Sequence, residues 1–153
     1  MAKARPVEIK SDEPFADAAR RVLAVRAAEV LEHVPAVRAG EDPEAVHDLR
    51  VAARRLRAVL EVFADAFPRK RHAALLDEVK RVGDAFGGAR DLDVQIELCE
   101  RFVSQAWDEE RTGVAALTQR LHADREAELS SAFPALDRLE RAVSDGVREL
   151  CAR

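Results

Sequence analysis

Apolar positions recur along most of this chain with the 3.6-residue period of an α-helix, and no stretch alternates as a strand would. From about Pro14 a first helix is expected to run to roughly His33, with Asp12 as a cap before it and Pro35 enforcing the stop. Gly40-Glu41-Asp42-Pro43 then supplies a loop, an Asp N-cap and a proline at the first helical position. The second helix, about Pro43 to Ala66, sets Val46, Leu49, Ala53, Leu56, Leu60, Phe63 and Phe67 on one side, which is core. Pro68 opens a third helix through Leu75, Leu76, Val79 and Val82, and Gly87-Gly88 release it into a turn. A fourth runs from about Asp91 to Trp107. Beyond Asp108 and Gly113 a fifth continues through Leu117, Leu121 and Leu129, and Pro134 marks the start of a sixth. The pattern predicts an all-α protein, a single bundle of about six helices over residues 13–153, preceded by a loose arm at 1–12.

Composition supports folding and narrows the setting. Ala, Leu, Arg and Glu dominate while Tyr is absent, a balance that favours helix. Cys99 and Cys151 form no C-x-x-C pair, so neither a zinc knuckle nor a redox motif is indicated and a reducing compartment is the simpler reading. With no signal-like or membrane-spanning apolar run, a cytoplasmic protein is expected. Trp107 and the six Phe residues read as core or interface.

Net charge is −4, which argues against a nucleic-acid binder, but its distribution changes the picture. Between His47 and Arg90 ten Lys/Arg stand against six Asp/Glu, leaving fifteen against twenty-three elsewhere. At about 100° per residue, His47, Arg50, Arg54 and Arg57 fall within roughly 80° of one another, a ridge bordering the core face, with Arg55 turned away. A solvated face paired with carboxylates of neighbouring helices is the bland explanation. It is strained here, because the nearest same-face carboxylate, Glu61, lies beyond the ridge. An anionic ligand would offset the repulsion among these like charges.

The run Val46-His47-Asp48-Leu49-Arg50-Val51-Ala52-Ala53-Arg54-Arg55-Leu56-Arg57 closely resembles the opening motif of the CHAD family, the conserved histidine α-helical domain. Gly87-Gly88-Ala89-Arg90-Asp91-Leu92-Asp93-Val94 resembles that family's Arg-Asp-Leu-Asp-Val element, and the loop from Arg38 to Ala45 resembles its lead-in. The resemblance implies a non-catalytic domain that binds inorganic polyphosphate in a basic, helix-lined cavity, without a cofactor or metal, at times on polyphosphate granules. Carried over by motif position, the binding residues are His47, Arg50, Arg54, Arg57, Lys80 and Arg90. Asp91 and Asp93 are expected to cap a helix start and orient Arg90, with metal ligation the weaker alternative. Arg81 and Arg69-Lys70-Arg71 are left outside the site, and Arg26 either reaches a cavity or snorkels.

The chain departs from the family in carrying one basic motif where the usual domain has two facing bundles. After Val94 the nearest candidate is His122-Ala123-Asp124-Arg125, with no arginine run behind it. Two copies associating with their stripes face to face would supply the missing half as a homodimer. Two other functions compete. A metal-dependent phosphohydrolase would use His47-Asp48 with Asp91 and Asp93, although His33, His72 and His122 show no ligand spacing. A nucleic-acid or acidic-protein adaptor would need a more exposed helix than a ridge bordering the core.

Overall fold

A computed structural model of the chain describes residues 3–40, 42, 44–105 and 107–151. All regular structure among these residues is helical: α1 (Phe15–Ala39), α2 (Ala45–Val62), a short 3-10 turn (Ala64–Ala66), α3 (Arg69–Ala85), α4 (Gly87–Val103) and α5 (Asp108–Cys151). The all-α bundle expected from periodicity is present, with five α-helices in place of about six.

The difference lies at the prolines. Pro35 sits inside α1 and Pro134 inside the 44-residue α5. An interior proline removes one backbone hydrogen bond and costs about 3 kcal/mol. Burying one aliphatic side chain returns roughly 1.5–3 kcal/mol. Val34 and Val37 flank Pro35 in the core, and Ala132, Ala135, Leu136 and Leu139 flank Pro134, so packing on both sides carries each helix through. α1 stops instead at Gly40, whose φ of 70° is the left-handed conformation glycine tolerates and whose N–H donates to the Ala36 carbonyl at 3.2 Å.

Other boundaries move as well, α4 among them, which ends at Val103 rather than about Trp107. Gly87-Gly88 begin α4 directly after the fully buried Phe86, rather than opening a turn, so Asp91 and Asp93 lie inside the helix and cap nothing. α2 ends at Val62 and the 3-10 turn completes the path to Phe67. At the start of α1, Pro14 takes the capping position in place of Asp12, and no side chain caps there. Pro43 lies outside the described residues; α2 begins at Ala45 with Glu44, not Asp42, at the capping position and no side-chain cap there, while Asp42 accepts a hydrogen bond from the Glu44 N–H at 2.9 Å just ahead of the helix.

The core runs between the helices. Val46, Leu49, Ala53, Leu56 and Leu60 of α2 are buried as predicted, against Leu23, Val30, Val34 and Val37 of α1. At 1.5 Å per residue α5 is about 66 Å long. It packs on α3, α4 and α1, burying Leu129, Leu136, Leu139 and Val143. Trp107 does not join the core: it is 81% exposed, just outside α5, and Phe15 and Phe102 are also exposed.

Residues 3–12 have no helix or strand, yet they are held against α1. The Arg5 N–H donates to Glu29 at 2.6 Å, its carbonyl accepts from Arg26 at 2.6 Å, and its guanidinium pairs with Glu32. Arg26 also pairs with the buried Glu29 at 2.5 Å, so its side chain is spent on clamping the arm to α1. No helix among the described residues is long and apolar enough to cross a membrane.

Candidate functional site

The helical period that buries Leu49, Ala53 and Leu56 presents His47, Arg50, Arg54 and Arg57 along the adjoining edge of α2. α3 packs beside α2. Between them lies a cavity of about 370 Å³. α2 contributes those four residues to its lining, α3 contributes Lys80, Gly83 and Asp84, and α4 contributes Arg90. All six residues singled out from the sequence thus line one cavity.

Their commitments differ. Arg50 is half-buried and donates to the Gly83 carbonyl near the end of α3, tying α2 to the α3–α4 corner. Arg57 is exposed and donates to Glu61 at 2.8 Å. That hydrogen bond holds the Glu61 carboxyl below its ordinary range; burial works the other way, and the charges of Arg57 and Lys80 add to the lowering. Arg90, largely buried, faces Glu44 at 3.8 Å. Arg54 is exposed and, among the described residues, makes no hydrogen bond or ion pair. It therefore has little to give up on meeting an anion.

Arg90 also lines a second cavity, of about 460 Å³. Glu44, Asp93, Glu97, Glu100 and Glu126 make that one acidic, with His122 and Arg125 alongside. Asp93 is buried and pairs with Arg125 of α5, so its role is structural as expected, but through an interhelical ion pair and not a cap. The partner of Arg90 is Glu44 and neither Asp91 nor Asp93.

Residues left outside the site lie outside the cavity lining. Arg81 pairs with Glu78, and Arg71 with Glu149 at 3.2 Å. Arg55 acts on the buried Glu29, away from the ridge. Asp84 was not anticipated: its spacing of four from Lys80 reads as an ordinary helix-surface pair, and only the packing of α3 on α2 turns it into the cavity. Among the described residues no group of three or more His, Cys, Asp or Glu is arranged to hold a metal ion. His72 instead bonds the Leu60 carbonyl at 2.7 Å through Nε2. Cys99 and Cys151 are free thiols, and burial pushes the Cys151 thiol up.

Two curated relatives each match part of the chain. Over 82 residues it is 34% identical to an uncharacterized protein, Rv2226, of Mycobacterium tuberculosis strain H37Rv. It is 33% identical to an uncharacterized protein, MT2285, of strain CDC 1551. Each match covers 54% of this chain and 16% of the relative, so the chain spans a small part of the relatives' length. No solved structure matches significantly. The CHAD domain model matches residues 21–152, from within α1 through the end of α5 and across the whole cavity. With that match over most of its length, and with the motif residues gathered around one cavity, the chain belongs to the CHAD domain family.

Proposed function

We propose that this protein binds inorganic polyphosphate in the cavity between α2 and α3, as a binding module and not an enzyme. The CHAD domain is associated with polyphosphate binding in general. The observation that carries the reading for this chain is the convergence of His47, Arg50, Arg54, Arg57, Lys80 and Arg90 from three helices on one recess. Guanidinium forks grip phosphate oxygens two at a time, and lysine adds a point charge. A ridge of cations spaced along a helix suits a ligand whose charges are themselves spaced along a line. A recess bounded by half-buried Arg50 and Arg90 suits a slender chain better than the broad backbone of duplex DNA. In this reading the protein acts in the cytoplasm, at polyphosphate granules where these form, and a homodimer would set two cationic ridges opposite each other.

Titration of polyphosphates of graded length against the wild type and Arg54→Glu tests the proposal. Measurable affinity that rises with length and collapses in the variant is expected; indistinguishable affinities would sink it. Duplex DNA should compete poorly at fixed salt. Metal-dependent release of phosphate from polyphosphate would replace the binding module with a hydrolase. Light scattering of the free protein reads the oligomeric state.

A further inference from the structure

The second cavity, along α4 and α5, carries the opposite sign of charge. Asp93, Glu97 and Glu100 recur on α4 at i, i+4 and i+7, so three carboxylates stand about one helical turn apart on one face, over a span of about 10 Å. Glu126 and His122 join them from α5. Both arginines of the lining are committed, Arg90 to Glu44 and Arg125 to Asp93. Glu97 faces Arg101 at 3.8 Å, outside the lining, while Glu100 and Glu126 make no side-chain hydrogen bond or ion pair among the described residues. Asp93 gives the strongest sign of a missing partner. The residue is only 8% exposed, Arg125 donates to its Oδ1, and its Oδ2 is buried with no hydrogen bond among the described residues. A buried carboxylate oxygen without a donor is costly, and a charged N–H donor offsets that cost most fully.

Among the described residues no three of these groups converge on one point, as a metal ion requires. Carboxylates set a turn apart suit a ligand whose positive charges are themselves spaced along a chain. In a linear polyamine three or four methylenes separate successive ammonium groups, a distance close to the ~5.4 Å pitch of a helix. Each ammonium brings its own N–H donors, and Ile96, also in the lining, offers the methylenes an apolar surface. We propose that this cavity binds a linear polyamine, one ammonium donating to Asp93 Oδ2 and the others held by Glu97, Glu100 and Glu126. Its volume of about 460 Å³ is that of a small-molecule site. The inference does not depend on polyphosphate binding, since the carboxylates named here are absent from the lining of the basic cavity.

Isothermal titration of the full chain with spermidine, at fixed ionic strength and without polyphosphate, tests this. Saturable binding of one spermidine per chain is expected, with butane-1,4-diamine, one ammonium shorter, binding about tenfold more weakly. Glu100→Gln combined with Glu126→Gln should weaken spermidine binding about tenfold. Both side chains are exposed, so the variant should keep its fold, which circular dichroism checks. Glu109→Gln combined with Asp145→Asn makes the same change in net charge at exposed positions outside the lining and should leave affinity unchanged. In the wild type, the carboxyl carbon resonance of Asp93 should move on titration with spermidine, a readout that needs no substitution at this buried position. Absence of saturable binding overturns the inference. So does an equal loss in the control variant, or displacement of spermidine by Mg²⁺ at matched charge, either of which makes the attraction a diffuse one. An Asp93 resonance that stays still while spermidine binds also overturns it, and a lysine-rich peptide that binds more tightly than spermidine replaces the polyamine with a basic protein partner.

Discussion

Arg54→Ala removes a guanidinium that is exposed and uncommitted in the free protein, so its effects on ligand and on fold separate cleanly. A hydrogen bond to a charged group contributes about 1.5–3 kcal/mol. At 1.4 kcal/mol per tenfold, the loss in polyphosphate affinity should be about 10- to 150-fold. Arg54 lies four residues from Arg50 and three from Arg57, where like charges on a helix repel by a few tenths of a kcal/mol. Alanine relieves that repulsion and is the best helix former, so the ligand-free variant should be as stable as the wild type or slightly more so. Arg81→Ala is the matched control. It changes net charge identically, but its side chain pairs with Glu78 and is absent from the cavity lining, and Glu78 keeps Arg138 at 3.5 Å as a second partner. Fields from charges beyond about 8 Å are screened at physiological salt, so the control should change affinity little. Fluorescence anisotropy with labelled polyphosphate over a salt series reads both quantities. Losing one phosphate contact should lower the slope of log affinity against log salt by roughly 0.7 for Arg54→Ala, taking a single-stranded polyanion as the guide. Equal losses in the two variants, or an unchanged slope for Arg54→Ala, would refute local contact as the source of affinity.

Three predictions concern the scaffold. Arg125→Ala leaves the buried Asp93 without its partner and should cost about 3–5 kcal/mol in urea denaturation, while replacing both residues with apolar ones of similar size should cost far less. Burial pushes the Glu29 carboxyl up, but hydrogen bonds from the Arg5 N–H and Arg26, with the charges of Arg26 and Arg55, outweigh it and hold the group below its ordinary 4.5. Its contribution to stability is therefore complete above that value and is lost as pH falls through the lowered one, so Glu29→Gln should be destabilised at neutral pH and approach the wild type as the pH drops well below 4.5. Within α5, Gly113→Ala adds a methyl with nothing within 4 Å and should raise stability by about 0.5–1 kcal/mol. Gly146→Ala brings its Cβ to 3.1 Å from Leu75 and should gain less or lose; equal gains at both sites would contradict the packing described.

The clustering of His47, Arg50, Arg54 and Arg57 was legible because one helix and one period place them, with no tertiary information needed. Lys80 and Arg90 came from motif resemblance, and the structure shows why they matter together: the α3–α4 corner, anchored by Arg50 on Gly83, turns both toward α2. The boundaries at Pro35, Pro134 and Gly87 were illegible for a common reason. A local breaker costs a few kcal/mol whatever surrounds it, and the burial that outweighs it is contributed by other helices. Pairings such as Glu44 with Arg90, or the Arg5 peptide with Glu29, join distant positions through backbone or partly exposed groups and leave no periodic trace. Asp84 escaped notice because a single acid after a lysine is what solvent-facing helices usually carry.

The described cavity lining comes from α2, α3 and α4, between His47 and Arg90, while α5 supports α3 and α4 from behind. The bond from Arg38 to Asp137 spans 99 residues and that to Glu140 spans 102, so α5 closes a long loop when it docks on α1. On the ribosome the basic wall is translated well before the helix that packs on α3 and meets Leu75. A nascent chain thus carries exposed cations next to an apolar surface that nothing yet covers. Docking of α5, a non-local and therefore slow event, ends that interval.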